Sequence, residues 1–182
     1  MRFLVGLVIG LLVFPIAIAA YLKMGQPPVA TADAPLPFES FIVHIPMHAR
    51  IDRELVKTPP IEASSTNLMI GAHVYRKQCA ACHGLYGISA SFAKGMFPKA
   101  PQLWEPHGNG VVGVSDDPPG ETYWKVANGI RLSGMPGFKG ILNDTEMWQV
   151  SQLLANADKP LPTEALTLLK QPLDLDPATA PQ

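Results

Sequence analysis

The first pattern along the chain is an apolar run. From Phe3 to Leu22, 20 consecutive residues carry no charge, and a helix of that length spans ~30 Å, the hydrocarbon thickness of a bilayer. Arg2 flanks one end, and Tyr21 and Lys23 flank the other, as an interfacial tyrosine and a snorkelling lysine would. The competing reading is a cleaved leader: Ala17-Ile18-Ala19 offers a small-residue cut site, and Pro15 would end a short apolar core before it. The uncleaved anchor is favoured because the apolar run continues past that site. Either way the remainder of the chain is expected to be exported.

Residues 24–37 contain Pro27, Pro28, Pro35 and Pro37 among small residues and read as an extended linker. In the next segment Phe38, Phe41, Ile42 and Ile45 fall at helical spacing, with Pro46 expected to interrupt any long helix. His44 and His48 lie four apart, but with Pro46 between them they read as solvated residues on a connector. Helical periodicity then dominates. Leu68, Ala72, Tyr75 and Cys79 form one stripe of a helix capped by Ser65 or Thr66 and running toward Cys82. Tyr123, Val126, Ala127 and Ile130 predict a short helix after Pro118-Pro119-Gly120, with Gly129 as its stop. Asn143 and Glu146 make a capping pair for a last helix whose apolar face is Met147, Val150, Leu153, Leu154 and Ala157. Pro160 and Pro162 end it. Strand signals are almost absent, and the Gly- and Pro-rich loop from Gly84 to Asp117 needs a flat apolar partner to pack against. Residues 163–170 predict one or two amphipathic turns, and the segment after them reads as disordered.

The pattern predicts an all-α fold with an N-terminal transmembrane helix. The expected divisions are an anchor at 1–23, a Pro-rich linker and juxtamembrane segment at 24–65, a helical domain at 66–160, and a largely disordered tail at 161–182. Charged residues make up 16% of the chain, well below the usual ~25%, a deficit that fits a membrane segment, a buried cofactor or both. With 14 basic and 15 acidic residues the net charge is −1, which argues against a nucleic-acid binder. Two cysteines exclude a disulfide-dense scaffold and a four-cysteine zinc site.

Those two cysteines stand in Cys79-Ala80-Ala81-Cys82-His83, the C-x-x-C-H attachment signature of c-type haem. On a helix, residues three and four apart share a face, so both thiols reach one porphyrin edge and His83 turns its imidazole to the iron. A thioredoxin-like pair needs a βαβ context that this chain lacks. A disulfide across two residues would be strained, and a zinc site would need two more ligands from His73, His107 or carboxylates, none at paired spacing. For the sixth iron ligand, Met135 in Gly134-Met135-Pro136-Gly137 is favoured, being far enough from His83 for the chain to circle the haem. Met96 and His107 are the alternatives, while Met69 and Met147 sit on helix stripes as core residues.

CAACHG preceded by G-x-x-x-Y, followed by APQL and by GIRLSGMPGF before an amphipathic helix, resembles a class I cytochrome c over roughly residues 66–159. The resemblance implies a helical domain wrapped around one covalently bound haem c. It implies that Gly71 and Tyr75 on the first helix cross Trp148 and Leu153 on the last. It further implies that the Pro101 carbonyl accepts from His83 and that Leu103 packs on the haem face. Trp104, Tyr123, Trp124 and Arg131 are candidates for the haem edge or a propionate.

Two axial ligands leave no open position on the iron, and His/Met ligation raises the potential relative to bis-His. The expected function is one-electron transfer, not catalysis, with membrane or periplasmic redox proteins as donor and acceptor, lipid contacted through the N-terminal helix, and no nucleic acid or small-molecule substrate. The expected location is the bacterial inner membrane, with the haem domain in the periplasm. Eight basic residues face seven acidic ones within residues 66–159, so electrostatic steering should be weak. Two further functions stay open: a fixed haem subunit of a larger membrane oxidoreductase, and a ligand-binding haem sensor or enzyme with a labile methionine.

Overall fold

The structure, a computed structural model, describes residues 2–173; the disorder expected beyond them lies outside the described residues. The chain divides into two compact units, Met1–Glu39 and Ser40–Gln182. The first holds helix α1 (Arg2–Met24), which continues through Pro15. Its stretch Gly6–Met24, 19 residues, is long and apolar enough to cross a membrane. In the linker Asp33 closes a turn by accepting from the amides of Ala30 and Val29, both at 2.8 Å. Those two bonds hold its carboxyl below the ordinary value.

The second unit opens with α2 (Glu39–Glu54), and here the expectation of a broken segment is corrected: the helix runs straight through Pro46. A proline removes its own hydrogen bond and crowds one carbonyl. That loss is offset by docking of the helix's C-terminal end, where Ile51 is buried. There the indole of Trp124 also donates to Glu54 at 2.7 Å. The supposed connector is therefore part of the folded unit. With no break at Pro46, the His44 and His48 rings stack with centroids 5.7 Å apart.

Helix α3 (Ser65–Gln78) starts one residue earlier than expected, at an N-cap formed by Ser64, whose side chain accepts from Asn67. It ends at Cys79, whose amide still donates to the Tyr75 carbonyl at 2.8 Å, and the single turn α4 (Ala80–His83) follows directly. The long loop that follows contains a 3-10 turn at Phe92–Gly95 and a two-residue antiparallel ribbon, β1 (Pro106–His107) with β2 (Val111–Val112). Helix α5 (Pro119–Asn128) ends at Gly129 as expected. Helix α6 (Asp144–Leu154) begins with the capping box: Asn143 accepts from the Glu146 amide at 2.9 Å and Glu146 accepts from the Asn143 amide at 2.8 Å.

The core lies where α3 crosses α6. Gly71 sits at the crossing, where a Cβ would collide with the carbonyl of Gln149 and press on Leu153, so the close approach requires glycine. Tyr75, Val150 and Leu153 are fully buried beside it, each such aliphatic side chain worth ~1.5–3 kcal/mol. Helix α6 is buried on almost every face, not along one stripe. Its inward polar residues are paired: Gln149 donates to Asn67 at 3.0 Å, Gln152 to the Ile61 carbonyl at 2.9 Å, and Ser151 to the Met147 carbonyl at 2.8 Å. Trp148 stacks on Tyr123 with centroids 4.1 Å apart.

The amphipathic turns expected at residues 163–170 are present as a helix, within a stretch the domain division had counted as a largely disordered tail. Residues Thr163–Lys170 form α7, packed on α3 with Ala165 and Leu169 fully buried. The Arg76 guanidinium caps its end by donating to the carbonyls of Leu168 (3.2 Å), Gln171 and Pro172 (2.7 Å).

Candidate functional site

The attachment motif is held by its own short helix. The amides of Cys82 and His83 donate to the Cys79 carbonyl at 3.1 and 3.0 Å, and this turn presents both thiols, neither in a disulfide, and the imidazole together. Burial pushes the Cys79 thiol up to about 12, with Cys82 adding to the rise. Its surroundings are those of an apolar group, the condition that suits a thioether.

His83 Nδ1 lies 2.8 Å from the Pro101 carbonyl oxygen. A carbonyl only accepts, so Nδ1 carries the proton and the lone pair of Nε2 is left free. Burial lowers the imidazole's proton affinity, and the Pro101 bond only partly restores it; the ring is held neutral, as a metal ligand must be. The Pro101 and His83 pairing implied by the resemblance is thus present in space, although 18 residues separate them. Leu103 is buried, and its amide donates to the His83 carbonyl at 3.0 Å.

Further residues bind this turn into the domain. The Tyr75 hydroxyl donates to the Gly84 carbonyl at 2.7 Å and the His83 carbonyl at 3.2 Å. Gln102 was missed by sequence reasoning. Its amide donates to the carbonyls of Cys82 and Ala100, both at 3.2 Å, while its oxygen accepts from Ala90 at 2.6 Å. Gly84, with φ of 76°, lets the chain turn against Gln102 Oε1, where a Cβ would stand 2.6 Å away. The motif APQL contained the signal, but only its proline and leucine carried a family role.

On the other side Met135 is half-buried in a turn between α5 and α6. Its amide donates to Ser133 Oγ at 3.1 Å and its carbonyl accepts from Ile130 at 3.2 Å. Gly129, with φ of 68°, packs against Met135, Pro136 and Gly137. Met96 meets this loop: its terminal methyl fills the space a Cβ on Gly134 would need. The two methionines weighed for one role therefore border one region. His107, the third candidate, lies on the ribbon, where its Nε2 donates to the Gly113 carbonyl at 2.6 Å, so that only Nδ1 keeps a lone pair.

Of the candidate haem-edge aromatics Tyr123 and Trp124 have polar partners elsewhere, whereas the buried Trp104 indole N–H has no hydrogen-bond partner among the described residues. Trp104 packs edge-on against Tyr75, centroids 5.5 Å apart. Tyr123 stacks on Trp148 and donates to Asp144, and Trp124 holds α2. Arg131 is exposed. A cavity of about 420 Å³ lies on the Ala80–Ala81 side of the attachment turn and reaches Phe92 and Leu173. None of the cysteines, His83 or Met135 lines it, so it is not the haem crevice.

The residues present fit a covalently held haem: a turn that offers two thiols on one side, and a neutral imidazole with its outer nitrogen paired and its inner one free. The comparison with family models agrees. Residues 66–154 match the model described as cytochrome c oxidase, cbb3-type, subunit III. No curated protein and no solved structure matches the chain. The matched segment starts one residue inside α3 and ends with α6, enclosing the crossing helices, the attachment turn and the Met135 loop. The chain carries, over these residues, a c-type cytochrome domain of the class I kind, the group from which haem c and electron transfer follow.

Proposed function

We propose that the protein is a one-electron carrier holding a single haem c, joined through Cys79 and Cys82 and ligated by His83 and Met135. The observation that carries this reading is the Pro101–His83 bond, which leaves Nε2 free on the turn that bears both cysteines. When bound, the haem supplies the iron that takes up and gives back one electron. The chain supplies the rest: Pro101 and Tyr75 fix the imidazole and its turn, the Gly129–Gly137 loop presents the thioether, and Leu103 excludes water. His83 and Met135 would together hold the iron and so would leave it no position for a substrate.

Helix α1 supports placement as a single-pass anchor in the bacterial inner membrane, with the domain on the periplasmic face. Redox proteins at that face are then donor and acceptor. The same reading divides the chain into an anchor at 1–23, a linker up to residue 38 and a cytochrome domain from 66, with α2 and α7 counted to the domain because Trp124 holds the first and α3 packs on the second. A second reading is favoured by the matched family's description, which names an oxidase subunit: the chain is the fixed haem subunit of a larger membrane complex.

The test is the visible and near-infrared spectrum of full-length protein matured with haem c, for wild type and Met135→Ala. A low-spin spectrum with a methionine–iron charge-transfer band, lost in the variant, is expected. A high-spin wild type, or a band that survives the substitution, overturns Met135 as ligand. Gentle detergent extraction from the native membrane separates carrier from subunit: a single chain supports the first, fixed stoichiometry with other chains the second.

A further inference from the structure

We propose that α2 is an interfacial helix that lays one face on the lipid surface and so sets the orientation of the cytochrome domain against the membrane. The inference rests on the reading of α1 as a retained anchor.

Helix α2 has two faces with different partners. One end is tied to the domain: Ile51 is 1% exposed, Trp124 donates to Glu54, and the Arg50 guanidinium lies 5.8 Å from the centroid of the Trp124 ring. The segment just after it is pinned as well, because Gly120 at the start of α5 leaves room for the Val56 carbonyl that a side chain would occupy. At ~100° per residue, Ile45, Ala49 and Ile42 are turned ~120° to ~180° away from Ile51. That outer face should be polar if it met only water. Instead Phe41 is 66%, Ile42 62% and Ile45 54% exposed. From Ser40 to Ala49 no Asp, Glu, Lys or Arg occurs, and the two histidines, His44 and His48, lie within ~60° of Ile51 around the helix. Apart from Glu39 at its start, the charges of the helix are Arg50, Asp52, Arg53 and Glu54, at the end where it joins the domain.

An amphipathic helix whose docked end is charged and whose free face is apolar fits the boundary between headgroups and acyl chains. Lipid is the occupant argued for because α1 and α2 are joined covalently. Only residues 25–38 separate them, and fully extended these reach ~50 Å. An exposed apolar face held that close to a bilayer meets lipid at high effective concentration before any soluble partner. The exposed Arg53 at its end suits phosphate headgroups, with its stem along the apolar boundary.

The test uses the full chain matured with haem c and reconstituted into phosphatidylcholine/phosphatidylglycerol vesicles. With Cys79 and Cys82 consumed by the haem, Ile45→Cys carries one free thiol for a benzophenone maleimide, and Glu164→Cys on α7 serves as the control. Irradiation should add one phospholipid mass to the label at position 45, with that adduct lost at position 164. An adduct to a second protein chain, no lipid adduct at 45, or equal lipid adducts at both positions overturns the proposal. Alkaline carbonate washing keeps the two readings apart. Release of the unlabelled chain from the vesicles defeats the anchor, whereas retention without a lipid adduct at 45 defeats the interfacial helix alone.

Discussion

The two proposed iron ligands are held by opposite means. His83 sits on a helical turn whose backbone carbonyls accept from Tyr75 of α3 and from the Leu103 amide of the following loop, while its imidazole donates to the Pro101 carbonyl. Met135 has no side-chain grip from another helix. Its loop is shaped by turns, with Ile130 and Ser133 bonding within it and Phe138 donating back to the Val126 carbonyl at 2.9 Å. One side is fixed by buried side chains, the other by backbone conformation and glycine. The histidine side should therefore fail through loss of packing, and the methionine side through backbone strain, each leaving the other ligand in place.

The strongest way to break the histidine side is at its base. Gly71→Ala puts a methyl into the Gln149 carbonyl and should force α3 and α6 apart at a cost of about 3 kcal/mol. The denaturant midpoint of the holoprotein measures it; an unchanged midpoint would show that the crossing is not tight. On the methionine side Gly129→Ala combines a strained positive φ with a collision against Gly137, worth about 2 kcal/mol. Here the sharper readout is spectroscopic: the methionine–iron band should weaken while the haem stays attached and His83-ligated. Equal loss of both ligands in this variant would erase the distinction between the sides. Tyr75→Phe leaves the buried Gly84 carbonyl without its 2.7 Å donor and should cost about 1–2 kcal/mol. It should leave the methionine band intact, the converse of the Gly129 result.

How much of this was legible in the sequence follows from the distances over which each feature is determined. The attachment turn, the Asn143–Glu146 cap and the Gly129 stop depend on residues three to five apart and were read correctly. The Gly71 crossing and the Pro101 acceptor are long-range, and only the family resemblance supplied them. One feature was read wrongly and two sets of contacts were missed. The continuity of α2 depends on Trp124, 70 residues from Glu54. The folding of α7 depends on Arg76, 92 residues from Leu168. Gln102 joins three backbone groups that no periodicity connects. Pro46 gave a true local signal, and tertiary contacts overrode it.

Met96 offers a finer test of the methionine side, because it supplies that loop with a side-chain neighbour. Met96→Ala removes the methyl seated on Gly134. It should destabilise by about 1 kcal/mol, less than a fully buried methionine would. Imidazole should then displace Met135 more readily, since the loop opens with less packing to lose. Met96→Leu should restore most of the wild-type affinity, as a shape role requires. An unchanged imidazole affinity in the alanine variant would mean that backbone turns alone hold the ligand loop.

The smallest effect concerns the helix from which the methionine loop departs. Lys125 on α5 bonds Glu121 at 2.7 Å and Asp117 at 3.0 Å, and its own carbonyl accepts from Gly129. Burial alone would lower the ammonium's pKa, but the two carboxylates outweigh it and hold the value above the ordinary 10.5. A group whose pKa is raised on folding adds stability that is complete below its unfolded value and disappears as the pH climbs through its folded value. Between about pH 8 and about pH 11 the wild type should accordingly lose about 0.5 kcal/mol more than Lys125→Met, by denaturant midpoints at each pH. If the loss also weakens the methionine–iron band in the wild type, α5 transmits it to the loop. If the band is steady while stability falls, the turns between Gly129 and Gly137 hold Met135 without help from the helix that precedes them.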